Sequence, residues 1–201
     1  MAAVAYLRTV NRDDQVAVSF VCSKTKVAPI NAISIPRLEL LAAEIGAVLG
    51  RILSGCLGVD GESMLLWTDS NDVLGWIRNR SRMFQPFVAH RVSRIQENCE
   101  NSRWLKVSSK DNPADLATRG LKSSEFWNHS TWFEGPEFLK TEESTWPAQS
   151  DLSKLELKEG RFRCNFVYQE NTKAIIGPEN FSSWVRLLRV TSCVFECWKI
   201  S

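Results

Sequence analysis

The 201-residue chain predicts an α/β domain: three antiparallel strands, then parallel strands, with helices flanking the mixed sheet and an irregular, partly helical C-terminal extension. Three observations predict it. The β-rich runs "AAVAYLRTV" and "QVAVSFVC" flank the polar cluster "NRDD", a hairpin signal. The segment "PRLELLAAEIGAVLGRIL" repeats apolar residues at helical spacing. And "MLLWTDSNDVLGWI" joins an apolar strand to an amphipathic helix through Thr-Asp-Ser, at the strand end where open α/β sheets place their ligands.

The elements follow in order. "SKTKVAPI" is expected as a third strand of the opening meander. Pro36 suits the first turn of a helix, with Ser34 as its cap. On that helix Leu38, Leu41, Ala42, Ile45, Val48, Leu49 and Ile52 make an apolar stripe expected to be core. Beside it run Glu39, Ala43, Gly46 and Gly50; glycines cost about 1 kcal/mol each in a helix, so close approach to a sheet or backbone is expected there. The run Met64–Trp67 reads as a strand buried on both faces, and Val73, Leu74 and Ile77 as the inner face of the next helix. Asp69 or Ser70 could cap that helix. A basic turn, "RNRSRMFQP", leads to a helix with Val88, Val92, Ile95 and Cys99 inward and His90, Arg91 and Arg94 outward. "SRWLKVSS" is a strand, and in "KDNPADLATRG" Asn112 reads as a cap with Pro113 first in the helix.

Past Gly120 the texture changes. Residues 121–150 form a Trp- and Pro-rich connector, and 151–201 an extension ending in a helix near "FSSWVRLLRVTSCVFECWKI". A net charge of +2 makes no case for nucleic acid by itself. Six scattered cysteines without a CxxC pair fit a reduced, intracellular and cytoplasmic protein, and two histidines away from any Cys pair argue against zinc. No signal peptide and no membrane span are expected.

Three acids occupy places that converge in such a fold. Glu39 stands near the start of the first helix, Asp69 ends the central strand, and Asp115 lies just inside the helix after the last strand. Carboxylates from three elements can form an all-oxygen site for Mg²⁺ or Mn²⁺. Two such ions can clamp the attacking and leaving oxygens of a phosphodiester.

Together "SKTKVAPINAISIPRLELLAA", "LLWTDSNDVLGWI", "FVAHRVSRIQ" and "DNPADLATRG" closely resemble the ribonuclease H region of BEL/Pao-type LTR-retrotransposon polyproteins. The resemblance covers residues 1 to about 120, which are expected to be one ribonuclease H-like domain truncated in its first strand, and continues faintly through "WFEGPEFLK" and "FSSWVRLLRV". It implies metal-dependent hydrolysis of the RNA strand of RNA–DNA hybrids, with Glu39, Asp69 and Asp115 as catalytic metal ligands. Reverse transcriptase and integrase regions of a parent polyprotein are the further partners it implies. The family uses one more aspartate on its first strand, just upstream of the "AAVAYLR"-like stretch in which this chain begins. Asp13 and Asp14 lie at the other end of that strand, roughly 25 Å away at ~3.3 Å per residue, and cannot replace it. An incomplete two-metal site with little or no hydrolysis is the expectation.

Arg78, Arg80 and Arg82 alternate in one loop, with Arg91 and Arg94 on the helix after it. They are candidates for backbone phosphates, against the alternative of a solvated basic loop. A non-catalytic nucleic-acid-binding or connection module is the competing function. An aspartic protease would need Asp-Thr-Gly or Asp-Ser-Gly, which "TDSND" does not supply.

Overall fold

The computed structural model describes residues 1–100, 102–119, 122, 124, 127–149 and 159–160. The helix expected over 181–200 lies outside these residues, as do Cys164, Cys193 and Cys197. The first strands are β1 (Ala2–Val10) and β2 (Val16–Thr25), paired antiparallel from Ala2 opposite Thr25 to Val10 opposite Val16, with a bulge between Ala5 and Tyr6. Asn11 closes their turn, its side-chain carbonyl accepting the N–H groups of Asp13 and Gln15. The expected third strand is absent. Ser23–Thr25 end β2, and the chain from Lys26 to Ser34 is irregular, carrying Pro29 with Val27 and Ile30 in full solvent exposure. A proline lacks the donor a ladder needs, and this segment has no apolar face against which to order.

Helix α1 (Ile35–Leu57) starts with Pro36 in its first turn and stops at Gly58, whose φ of +64° ends it in the left-handed conformation. At 23 residues it is long and apolar enough to cross a membrane by composition, which the sequence reading did not anticipate. In this fold it packs on α3 and β1. Its buried residues are Leu40, Ala43 and Ala47. The stripe expected to be core is only half-buried, and Ile52 is exposed. The buried face runs through Leu40, Ala43 and Ala47 toward α3, and of the small-residue stripe only Ala43 belongs to it; the half-buried glycines still allow close approach, since a Cβ on Gly46 would stand 3.7 Å from Ala3 Cβ, and one on Gly50 would stand 2.5 Å from Met64 Sδ.

Strand β3 (Leu65–Thr68) pairs in parallel with β4 (Arg103–Lys106), from Leu65 opposite Arg103 to Thr68 opposite Lys106. Between them run α2 (Asn71–Ile77) and α3 (Pro86–Asn98). Leu40, Val73, Trp76, Phe84, Val88, Val92 and Ile95 form the core, and the inward faces expected for α2 and α3 are the ones buried. Glu44 of α1 ties α3 down through Arg94 at 2.6 Å and Arg91 at 3.8 Å. A short 3-10 helix (Pro113–Thr118) follows β4, with the Asn112 side chain accepting from the Ala114 N–H as expected.

The described architecture is mixed α/β with two two-stranded sheets, β1–β2 antiparallel and β3–β4 parallel. The expected single sheet of three antiparallel strands followed by parallel ones is not formed by these ladders. Residues 127–149, including the short helix α4 (Ser130–Glu134), lie against both sheets. The Tyr6 hydroxyl donates to the Trp132 carbonyl at 2.8 Å, and burial pushes its pKa up. Arg8 donates to the Leu139 carbonyl, and Trp67 packs on Phe138 and Trp146.

Candidate active site

The turn after β3 decides what Asp69 is available for. The Thr68 hydroxyl accepts from the Ser70 N–H, and the Ser70 hydroxyl accepts from the Val73 N–H, each at 3.2 Å. Ser70 is therefore the cap of α2, and its burial fixes the turn. The Asp69 carboxylate is spared the capping role and stays half-buried, at the rim of a cleft.

Glu39 and Asp115 line the same cleft. Helix α1 runs antiparallel to β3: Gly50 meets Met64 at the strand's start, and Glu39 comes beside the Asp69 turn at its end. The Glu39 carboxyl is held above the usual carboxylate range, first by burial and then by the charges of Asp69 and Asp72, against the Ser70 hydroxyl that donates to it. Asp115 is raised by burial and by Asp69, while Arg119, 3.3 Å from its Oδ2, pulls the other way. Asp69 is the charge felt by both other acids, so the three form one electrostatic cluster.

Lys106 is a member that the sequence reading missed. Paired with Thr68 across the β3–β4 ladder, it directs its ammonium to the main-chain carbonyl of Asp69 and lowers the pKa of Glu39. Only strand pairing brings it there; 37 residues separate it from Asp69.

The carboxylates have the hard oxygen donors that Mg²⁺ or Mn²⁺ takes. Among the described residues no group of three His, Cys, Asp or Glu side chains is arranged to hold such an ion. Asp13 and Asp14 sit in the exposed β1–β2 turn.

The five arginines separate into two sets. Arg78, Arg80 and Arg82 are exposed around the short 3-10 turn Ser81–Met83. Arg91 is half-buried, stacked 3.6 Å over the Phe87 ring and bonded to the Phe87 carbonyl. Both Arg91 and Arg94 serve Glu44 and the α1–α3 contact.

Comparison with known proteins adds one match. No curated protein and no solved structure matches the chain. Residues 1–70, which run from β1 through α1 and β3 to the Asp69 turn, match the family model described as the Pao retrotransposon-like RNaseH-like domain. Over that span, about a third of the chain, the sequence is similar to a ribonuclease H-like region of the Pao-retrotransposon kind.

Proposed function

We propose that this chain is a retroelement ribonuclease H-like domain, descended from a metal-dependent nuclease of RNA–DNA hybrids, that binds nucleic acid with hydrolysis weak or absent. The observation that carries the reading is the Asp69 cluster: carboxylates from three elements share one cleft, as two-metal phosphodiester hydrolysis uses, but among the described residues no three are arranged to hold an ion. Arg78, Arg80 and Arg82 supply an exposed basic turn for backbone phosphates. The Lys106 ammonium beside Glu39 supplies part of the positive charge that a cation would bring.

The test is a gel assay on a labelled RNA–DNA hybrid with Mg²⁺ or Mn²⁺, run beside Asp69→Asn. Retention of the hybrid without cleavage is expected from both proteins. A metal-dependent cut made by the parent and lost in Asp69→Asn would overturn the inactive assignment. No retention by either protein would remove the nucleic-acid reading.

A further inference from the structure

Glu159 and Arg37 form an ion pair across 122 residues of sequence. The carboxylate accepts from the guanidinium at both oxygens, Oε1 from Nε and Oε2 from Nη2, each at 2.8 Å. The main chain beside it is held as well. The Glu159 carbonyl accepts from the Gln85 N–H at 2.8 Å, and Gly160 forms an isolated antiparallel bridge with Phe84. Residues 159–160 are thus fastened to the start of α1 and to the start of α3. Phe84 follows Arg82 by two residues, so the same attachment borders the exposed basic turn.

Two features set this pair apart from a packing contact. Glu159 has a φ of +65°, a left-handed conformation that residues with side chains adopt at a cost. The pair is also open to water, its side chains 34% and 21% exposed, so salt and competing anions reach it. Glu44 is the contrast: it holds Arg91 and Arg94 from within α1, with a side chain 13% exposed. A strained backbone and a screened ion pair make an attachment that another anion can displace.

The Arg37 guanidinium has a support besides Glu159. It lies 4.8 Å over the Phe87 ring, on which Arg91 also stacks at 3.6 Å. A guanidinium laid on an aromatic ring and offering two N–H groups as a fork suits a phosphate as well as a carboxylate. A nucleic-acid backbone lying on the Arg80 and Arg82 turn carries further phosphates in a row.

We propose that Glu159 is an internal competitor of nucleic acid: its carboxylate occupies the Arg37 fork that a backbone phosphate would take, and binding displaces it. The inference rests on the nucleic-acid reading given above and is independent of cleavage.

The test reads the affinity for a labelled RNA–DNA hybrid by anisotropy between 50 and 200 mM salt, without divalent cations. The proteins are the full chain, Glu159→Gln, Glu159→Gly, Arg37→Gln, and Arg37→Gln combined with Glu159→Gln, their folding checked by circular dichroism. Glu159→Gly suits the left-handed backbone, so it deletes the carboxylate while keeping the main-chain attachment. Both Glu159 variants are expected to bind about threefold tighter at 50 mM salt, as loss of a solvent-exposed ion pair allows. The slope of log K against log salt should steepen by about one, for one added phosphate contact. Both gains should vanish in the Arg37→Gln background. Unchanged affinity in the two Glu159 variants, with the parent still binding, would make the pair a structural tie and overturn the inference alone. A gain that persists with Arg37→Gln would show general repulsion by an acid and overturn it too. Binding by none of the proteins would remove the nucleic-acid reading and this inference with it.

Discussion

The Lys106 ammonium is held on the main-chain carbonyl of Asp69, which fixes a cation beside the Glu39 carboxylate. A carboxyl whose pKa is raised by folding binds its proton more tightly in the native state, so its contribution to stability falls as pH rises through the carboxylate range. Lys106 opposes that fall. Lys106→Gln is expected to lower Tm at pH 7 by about 2–4 °C while changing it little near pH 4. Glu39→Gln should do the reverse, raising Tm at pH 7 with the difference closing toward pH 4. Thermal melts across that range check both, and parallel curves would show that the Glu39 charge is not the cause.

The same cluster bears on metals. A cation at ten times its Kd stabilises the native state by about 1.4 kcal/mol. Because no three described acids are arranged to hold an ion, 10 mM Mn²⁺ is expected to leave Tm within about 1 °C of the metal-free value. A rise of several degrees, lost in Asp69→Asn, would show the carboxylates closing on an ion.

The arginines should separate by location. Arg80→Glu with Arg82→Glu is expected to weaken binding to an RNA–DNA hybrid and to reduce the slope of log K against log salt by about 2, with Tm unchanged. Arg94→Glu puts a like charge against Glu44 and should cost about 1 kcal/mol of stability, read by urea unfolding. An unchanged salt slope in the double variant would leave the basic loop merely solvated.

Gly135 is expected to resist substitution. Its φ is +75°, and a Cβ there would stand 3.0 Å from Val18 Cγ1, so Gly135→Ala should destabilise by about 1–2 kcal/mol. Gly46→Ala meets only ordinary contact with Ala3 and should stabilise by up to about 1 kcal/mol. Denaturant midpoints of the two variants moving in the same direction would contradict this.

Cysteine reactivity offers a check on the core. Burial beside α1 pushes the Cys99 thiol up to about 11, while Cys56 is exposed. At pH 8 iodoacetamide is expected to modify Cys56 at least tenfold faster than Cys99, as read by peptide mass. Comparable rates would mean that the α1–α3 contact opens readily.

Local patterns carried much of the fold. The inward faces of α2 and α3, the Pro36 helix start, the Asn112 cap and the β1–β2 hairpin follow from periodicity and turn chemistry within a few residues of each position. Asp69 was ambiguous because a carboxylate and a hydroxyl stand side by side at the helix start, and either can cap. The geometry gives the cap to Ser70, as the hydrogen bond to the Val73 N–H shows.

The face of α1 that became core was not legible, and this misreading is instructive. Burial followed the contact with α3, made by Leu40, Ala43 and Ala47, rather than the longer apolar stripe through Leu38, Leu41, Ile45 and Leu49. Lys106 joined the acids only through the β3–β4 register. By itself the sequence determined the β1–β2 hairpin, strands β3 and β4 and helices α1 to α3, though not the absence of the strand expected over 23–30, and with them where the acids fall and the ribonuclease H-like family resemblance of the chain, because these depend on residues adjacent along the chain. Tertiary structure alone decided which strands pair, which face of α1 is covered, how Glu39, Asp69 and Asp115 share one cleft and how Lys106 comes beside Glu39, because each depends on groups distant in sequence competing for the same space.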